Sequence, residues 1–207
     1  RLGFKGSDGR AKEARKAGAV DRSGPRMQQS ITKFIELQQS SLNRIGVQPT
    51  FVAWTGRMGG DWLDGVDYEQ RQPSPSESTA DDTATLVLDL ISANVDAILY
   101  AGGDGTTRDI VNALDGHETP LIGVPAGVKM HSGCFATTPN AAAEVLLSFL
   151  QGDLMVAITE VMDLDEEIYQ RGEWKVRMYG EAWTPSSPRF MQGAKEQVER
   201  ASEAETI

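Results

Sequence analysis

Cysteine is nearly absent. Cys134 stands alone, so no disulfide can close within the chain. That fits a reducing compartment and a cytoplasmic protein. Cys134 itself reads as a small apolar packing residue. Long hydrophobic runs are missing too: nowhere do eighteen apolar residues follow one another, so no transmembrane helix is expected. Positive charge is in deficit, with 20 Lys and Arg against 30 Asp and Glu and a net charge of −10. A nucleic-acid partner needs a basic face and an anionic bilayer attracts one, so the charge balance argues against both partners. Two common phosphate-binding strings are also lacking. No glycine is followed by Lys and then Ser or Thr, as a P-loop requires. A dinucleotide fingerprint needs a glycine three residues after Gly105, and Arg108 stands there.

What is present is a glycine-rich turn around one acid. Ala97-Ile98-Leu99-Tyr100 reads as a buried strand. It runs into Gly102-Gly103-Asp104-Gly105-Thr106-Thr107, and Ile110, Val111 and Leu114 then follow at helical spacing. Glycines let a backbone approach a ligand closely. The free N–H groups at a helix start favour an anion. Asp104 would repel a phosphate unless it handles a metal or a proton, so the turn points to phosphate chemistry. The plain alternative is a tight strand-to-helix turn with no ligand.

Gly102-Gly103-Asp104-Gly105-Thr106 resembles the signature of the superfamily of NAD kinases, diacylglycerol kinases and sphingosine kinases. A second segment, Gly123-Val124-Pro125-Ala126-Gly127-Val128-Lys129-Met130-His131-Ser132, is similar to one in ATP-NAD kinase-like proteins. More narrowly it resembles the branch related to the accessory protein of acetoin catabolism. The segments Gly3–Gly9, Glu160–Glu167 and Pro188–Lys195 read the same way. In that family a strand and an Asn-Pro turn precede the first loop, and an all-β domain follows, so the chain reads as trimmed at both ends.

The alternation of elements gives the fold class: α/β, a Rossmann-like parallel sheet with helices on both faces, then the start of a mostly β second domain. The boundary is placed at 152, with a nucleotide-binding domain over 1–152 and an incomplete β-rich part over 153–207. Ile31, Phe34, Ile35, Leu42 and Ile45 form a helical stripe, and Thr50 to Trp54 a strand. Asp61 to Ser78, with Pro73 and Pro75, reads as loop. Thr79-Ala80-Asp81-Asp82 has the form of a capping box, and Thr138-Pro139 that of a helix start. Strands are expected at 95–100, 121–124, 155–159 and 174–179, and a helix at 106–115.

In open parallel sheets ligands gather beyond the carboxyl ends of the strands. The loops Gly56–Gly60, Gly102–Thr107 and Pro125–Ser132 fall there. Phosphoryl transfer needs positioning and charge stabilisation. Gly102, Gly103 and Gly105 would bring amides to nucleotide phosphates, and Thr106 and Thr107 would add hydroxyls. Arg108 is a charge clamp or a salt-bridge partner. Asp104 is a general base or holds a Mg²⁺-bound water. The family resemblance assigns Asp104 the base role and implies that Gly127, Lys129 and His131 help bind the dinucleotide; as a lone histidine, His131 also has a structural reading. Glu160, Asp163, Asp165, Glu166 and Glu167 read as a solvated acidic turn, with cation binding as the alternative. The Asn-Glu or Asn-Asp pair that NAD kinases set against a ribose is not found in a matching context.

The resemblance therefore implies a kinase that moves the γ-phosphate of ATP, or of polyphosphate, to NAD, with Mg²⁺ and with a homo-oligomeric assembly. A lipid or sphingoid kinase, or a non-catalytic nucleotide-binding accessory protein, are the alternatives.

Overall fold

The computed structural model describes residues 16, 18, 20–41, 49–127, 130–164 and 176–192. Within them the order is α1 (Ser23–Ser41), β1 (Phe51–Thr55), β2 (Tyr68–Pro73), α2 (Ala80–Ser92), β3 (Ile98–Gly102), α3 (Asp104–Leu114), β4 (Leu121–Pro125), α4 (Pro139–Leu150), β5 (Val156–Leu164) and β6 (Val176–Pro185). None of the described helices is long and apolar enough to cross a membrane.

Two helices start where the sequence places a threonine cap. The Thr79 hydroxyl accepts from the Asp82 N–H, and the Asp82 carboxylate accepts from the Thr79 N–H at 2.8 Å, so both orphan donors of α2 are satisfied reciprocally. The Thr138 hydroxyl accepts from the Ala141 N–H at 3.0 Å, and Pro139 fills the first position of α4.

β3 and β4 pair in parallel, Ile98 opposite Leu121 and Gly102 opposite Pro125. Side chains on a strand alternate between its faces, and here each face has its own core. Leu99, Ala101, Ile122 and Val124 meet Phe34 of α1 and Ala142, Val145 and Leu146 of α4. Ile98, Tyr100 and Leu121 meet Val87 of α2, Ile110 and Leu114 of α3, and Phe135. Helices therefore cover both faces, and every residue of β4 is buried.

The parallel sheet expected from the sequence is there in part: the strands of the α/β part pair in parallel, in two small sheets among the described residues. Three two-stranded sheets are present: β1–β2 and β3–β4 parallel, β5–β6 antiparallel. The reading of 61–78 as loop is corrected. It holds a short 3₁₀ turn, Gly60–Trp62, and the strand β2, which pairs in parallel with β1. β2 is polar, Tyr-Glu-Gln-Arg-Gln-Pro, and mostly exposed. It has no apolar alternation to betray it, and Pro73 at its end reads as a breaker. Backbone pairing and side-chain ties hold it instead: the Arg71 guanidinium donates to Asp89 Oδ1 at 2.7 and 3.2 Å.

The β5–β6 hairpin packs against the α/β part. Val161 and Ala182 belong to the same core as α3 and β3, and the Thr184 hydroxyl donates to the Leu121 carbonyl at 2.8 Å.

Candidate active site

The turn between β3 and α3 is shaped by close approach. A Cβ on Gly102 would come within 2.7 Å of the Thr106 side chain, closer than real atoms approach, so only glycine fits beneath that residue. Gly103 is extended and caps α3 with no side chain of its own, and a Cβ there would meet nothing. A Cβ on Gly127 would lie 3.7 Å from Gly103 Cα, and the Ala126 N–H donates to the Gly102 carbonyl at 3.0 Å. The two glycine-rich loops are thus in contact beyond the carboxyl ends of β3 and β4.

Asp104, the first residue of α3, is the joint between them. Its side chain is fully buried. Oδ1 accepts from the Ser132 N–H (3.0 Å) and the Ser132 hydroxyl (2.8 Å), and Oδ2 lies 3.0 Å from Nδ1 of His131. The His131 N–H is 3.0 Å from both oxygens. Two backbone amides, a hydroxyl and an imidazole therefore satisfy one carboxylate, which also sits at the positive end of a helix. Ser132 extends the joint: its hydroxyl accepts from the Met162 N–H at 3.1 Å. The Gly133 N–H donates to the Glu160 carbonyl, also at 3.1 Å. β5 is in this way fixed to the second loop.

Behind the turn lies a buried relay. Tyr100 Oη is 2.5 Å from Thr107 Oγ1 and 3.2 Å from Cys134 Sγ, and Thr107 donates to the Gly103 carbonyl at 3.2 Å. Donation from Cys134 to Tyr100 to Thr107 to Gly103 satisfies each group in turn. Burial pushes the Tyr100 hydroxyl well above its ordinary value and the Cys134 thiol up to about 11. Cys134 is fully buried, the packing role expected of it. Thr107, expected from the sequence to offer its hydroxyl to a phosphate, is buried with that hydroxyl in this relay. Thr106 and Gly105 remain partly exposed on the outer side of the turn.

Arg108 takes the salt-bridge role. Its Nη1 lies 3.1 Å from Asp163 Oδ2, and its guanidinium carbon stands 5.5 Å from the centre of the Tyr179 ring. This corrects the solvated-turn reading for Asp163, which lies in β5 and is buried. Glu160 also lies in β5. Lys129, Asp165, Glu166 and Glu167 fall outside the described residues. The Gly56–Gly60 turn is packed by its own sheet: a Cβ on Gly59 would meet the Trp54 carbonyl, and one on Gly60 the Tyr68 hydroxyl.

Sequence reasoning gave no role to Ser132, Tyr100 or the Arg108–Asp163 pair. The adjoining His131-Ser132 dipeptide was the available signal, since an acid buried in a glycine turn must find donors nearby. Among the described residues no group of three or more His, Cys, Asp or Glu side chains could hold a metal ion.

One family model matches the chain, the ATP-NAD kinase N-terminal domain, over residues 26–154. The match spans both glycine-rich loops. No curated protein and no solved structure matches.

Proposed function

The chain belongs to the ATP-NAD kinase family, and from that premise we propose that it transfers the γ-phosphate of ATP, or a phosphoryl group of polyphosphate, to NAD and so makes NADP. The observation that carries this reading is the contact between the two glycine-rich loops around Asp104, both inside the matched segment. Gly103 and Gly105, with the first amides of α3, offer a polyphosphate a surface that a side chain would block. Thr106 adds a hydroxyl from the same turn. Gly127, Lys129 and His131 belong to the loop assigned to the dinucleotide. Arg108 reaches a phosphate only by sharing its guanidinium with Asp163.

Asp104 is the carboxylate of the reaction. It makes a poor metal ligand, because N–H and O–H donors already occupy both of its oxygens. Magnesium therefore belongs to the nucleotide substrate, where it neutralises phosphate charge. The work of the chain is to align the phosphoryl group with the acceptor hydroxyl and to receive that hydroxyl's proton. The acetoin-related branch, a cytoplasmic location, a homo-oligomer and a β-rich part over 153–207 belong to the same proposal.

The test is direct. The purified full-length protein, given ATP, Mg²⁺ and NAD, forms NADP. Asp104→Asn lowers turnover by about 10²-fold or more. Wild-type protein that forms no NADP with either ATP or polyphosphate rejects the assignment, and an Asp104→Asn enzyme of normal turnover removes Asp104 from the mechanism.

A further inference from the structure

We propose that Ser132 is a positioning residue for the proton transfer. Its hydroxyl donates to Asp104 while that acid is a carboxylate, and turns to accept from it once it carries the acceptor's proton. This rests on the phosphoryl-transfer reading above, with Asp104 as the base.

The base needs partners that serve two protonation states. An ionised carboxylate only accepts, whereas a carboxylic acid must also donate. The Asp104 side chain is fully buried, and a buried hydroxyl without an acceptor is costly. The backbone N–H groups of His131 and Ser132 can only donate to it. His131 Nδ1 lies 3.0 Å from Oδ2, and the carboxylate draws the ring's single proton to that nitrogen. The imidazole would have to give this proton up before it could accept there. Ser132 is left.

A hydroxyl has one proton and two lone pairs, and Ser132 Oγ has a use for each. Asp104 Oδ1 lies at 2.8 Å and the Met162 carbonyl at 3.0 Å, while the Met162 N–H donates to Oγ from 3.1 Å. One proton cannot serve two acceptors fully. With Asp104 ionised, it goes to Oδ1, because a bond to a charged acceptor is the stronger. With Asp104 protonated on Oδ1, the hydroxyl turns to the Met162 carbonyl. Its second lone pair then accepts from the acid. Every donor of the triangle is satisfied in both states. Ser132 is itself buried, and β5 supplies both Met162 groups, so the hairpin holds the pivot in place.

The step balances. The acceptor O–H bond breaks and its proton passes to the Asp104 carboxylate, where it rests on Oδ1 against Ser132 Oγ. The oxygen's electron pair forms the bond to the γ-phosphorus. The bond from that phosphorus to the bridging oxygen breaks with its electrons on the oxygen, leaving ADP when ATP is the donor. Asp104 then returns its proton to water, and the Ser132 hydroxyl turns back.

Ser132→Ala is the informative variant, since it removes the hydroxyl and keeps the backbone N–H to Oδ1. The expected result in the full-length protein, assayed well below its thermal midpoint, is a fall in kcat of about 10–10²-fold, with KM for ATP and NAD little changed. In an Asp104→Asn background the same change lowers kcat no further, because Ser132 acts through the acid. An equal loss in both backgrounds overturns the proposal. So does a raised KM with kcat kept, which makes Ser132 a tie between loop and hairpin and nothing more. A second readout needs neither variant nor activity. Neutron diffraction from deuterated, ligand-free crystals at neutral pH shows the Ser132 deuteron on the line to Asp104 Oδ1. A deuteron on the Met162 carbonyl instead overturns the proposal whatever the assays show. If the wild type makes no NADP, the function fails and the catalytic half of this inference fails with it, while the deuteron still decides the pairing.

Discussion

Asp89 shows at the scale of one residue how a polar strand is kept in place. Oδ1 accepts two bonds from Arg71 of β2, and Oδ2 accepts one from the Trp54 indole of β1 at 2.8 Å. These bonds, those from Arg71 above all, hold the Asp89 carboxyl below its ordinary value. The folded state binds this proton less readily than the unfolded chain does. The resulting stabilisation is complete above the unfolded value and is lost as pH falls through the folded one. Thermal midpoints measured at and below about pH 4 should therefore drop for the wild type. Asp89→Asn should be less stable at neutral pH and show a shallower acid dependence; an identical acid profile would deny Asp89 this role. Nothing near position 89 in sequence announces the arrangement, since its partners lie 18 and 35 residues away. Asp104 is the contrary case. Its glycine setting singled it out, but the donors that enclose it come from 27 and 28 residues further on, and no local pattern predicts which side chains those are.

Elements were legible where local chemistry decides them. Both threonine caps stand where the side-chain spacing put them, and β3, α3 and β4 follow their apolar patterns to within a few residues. The cap is worth testing because it is so local. Thr79→Ala removes one acceptor and one half of the reciprocal pair, and should cost about 1 kcal/mol in urea unfolding. An unchanged midpoint would mean that tertiary packing of Val87 alone sets the start of α2. β2 was missed for a physical reason: its pairing is made by backbone, its side chains are polar, and binary pattern carries no record of either. The β5 register was only half legible. Met155 to Thr159 reads as strand, but β5 continues to Leu164 because its ladder with β6 runs from Val156–Pro185 to Leu164–Val176, through Glu160 and Asp163, two of the acids that looked like a turn.

At the scale of the whole molecule, the helix that opens the site is bound to the hairpin that follows it. Arg108 leaves α3 for Asp163 of β5 and stands against Tyr179 of β6, and Val161 and Ala182 complete the apolar side of the same seam. Arg108→Ala should lower the unfolding free energy by about 1–3 kcal/mol, since it withdraws a charged partner from a buried carboxylate. Should stability stay constant while KM for the nucleotide rises, Arg108 is a phosphate clamp and not a tie. Asp104 has a different kind of reach. It lies under the surface at the electropositive start of α3, so that pole is partly balanced before anything arrives. Bystander ions such as free sulfate or inorganic phosphate meet a muted attraction at Gly103 and Gly105. Under the proposed phosphoryl transfer, discrimination would then fall to ligands with more to offer than charge, those that bring a base and a sugar to the second loop, and small anions would not clog the entrance.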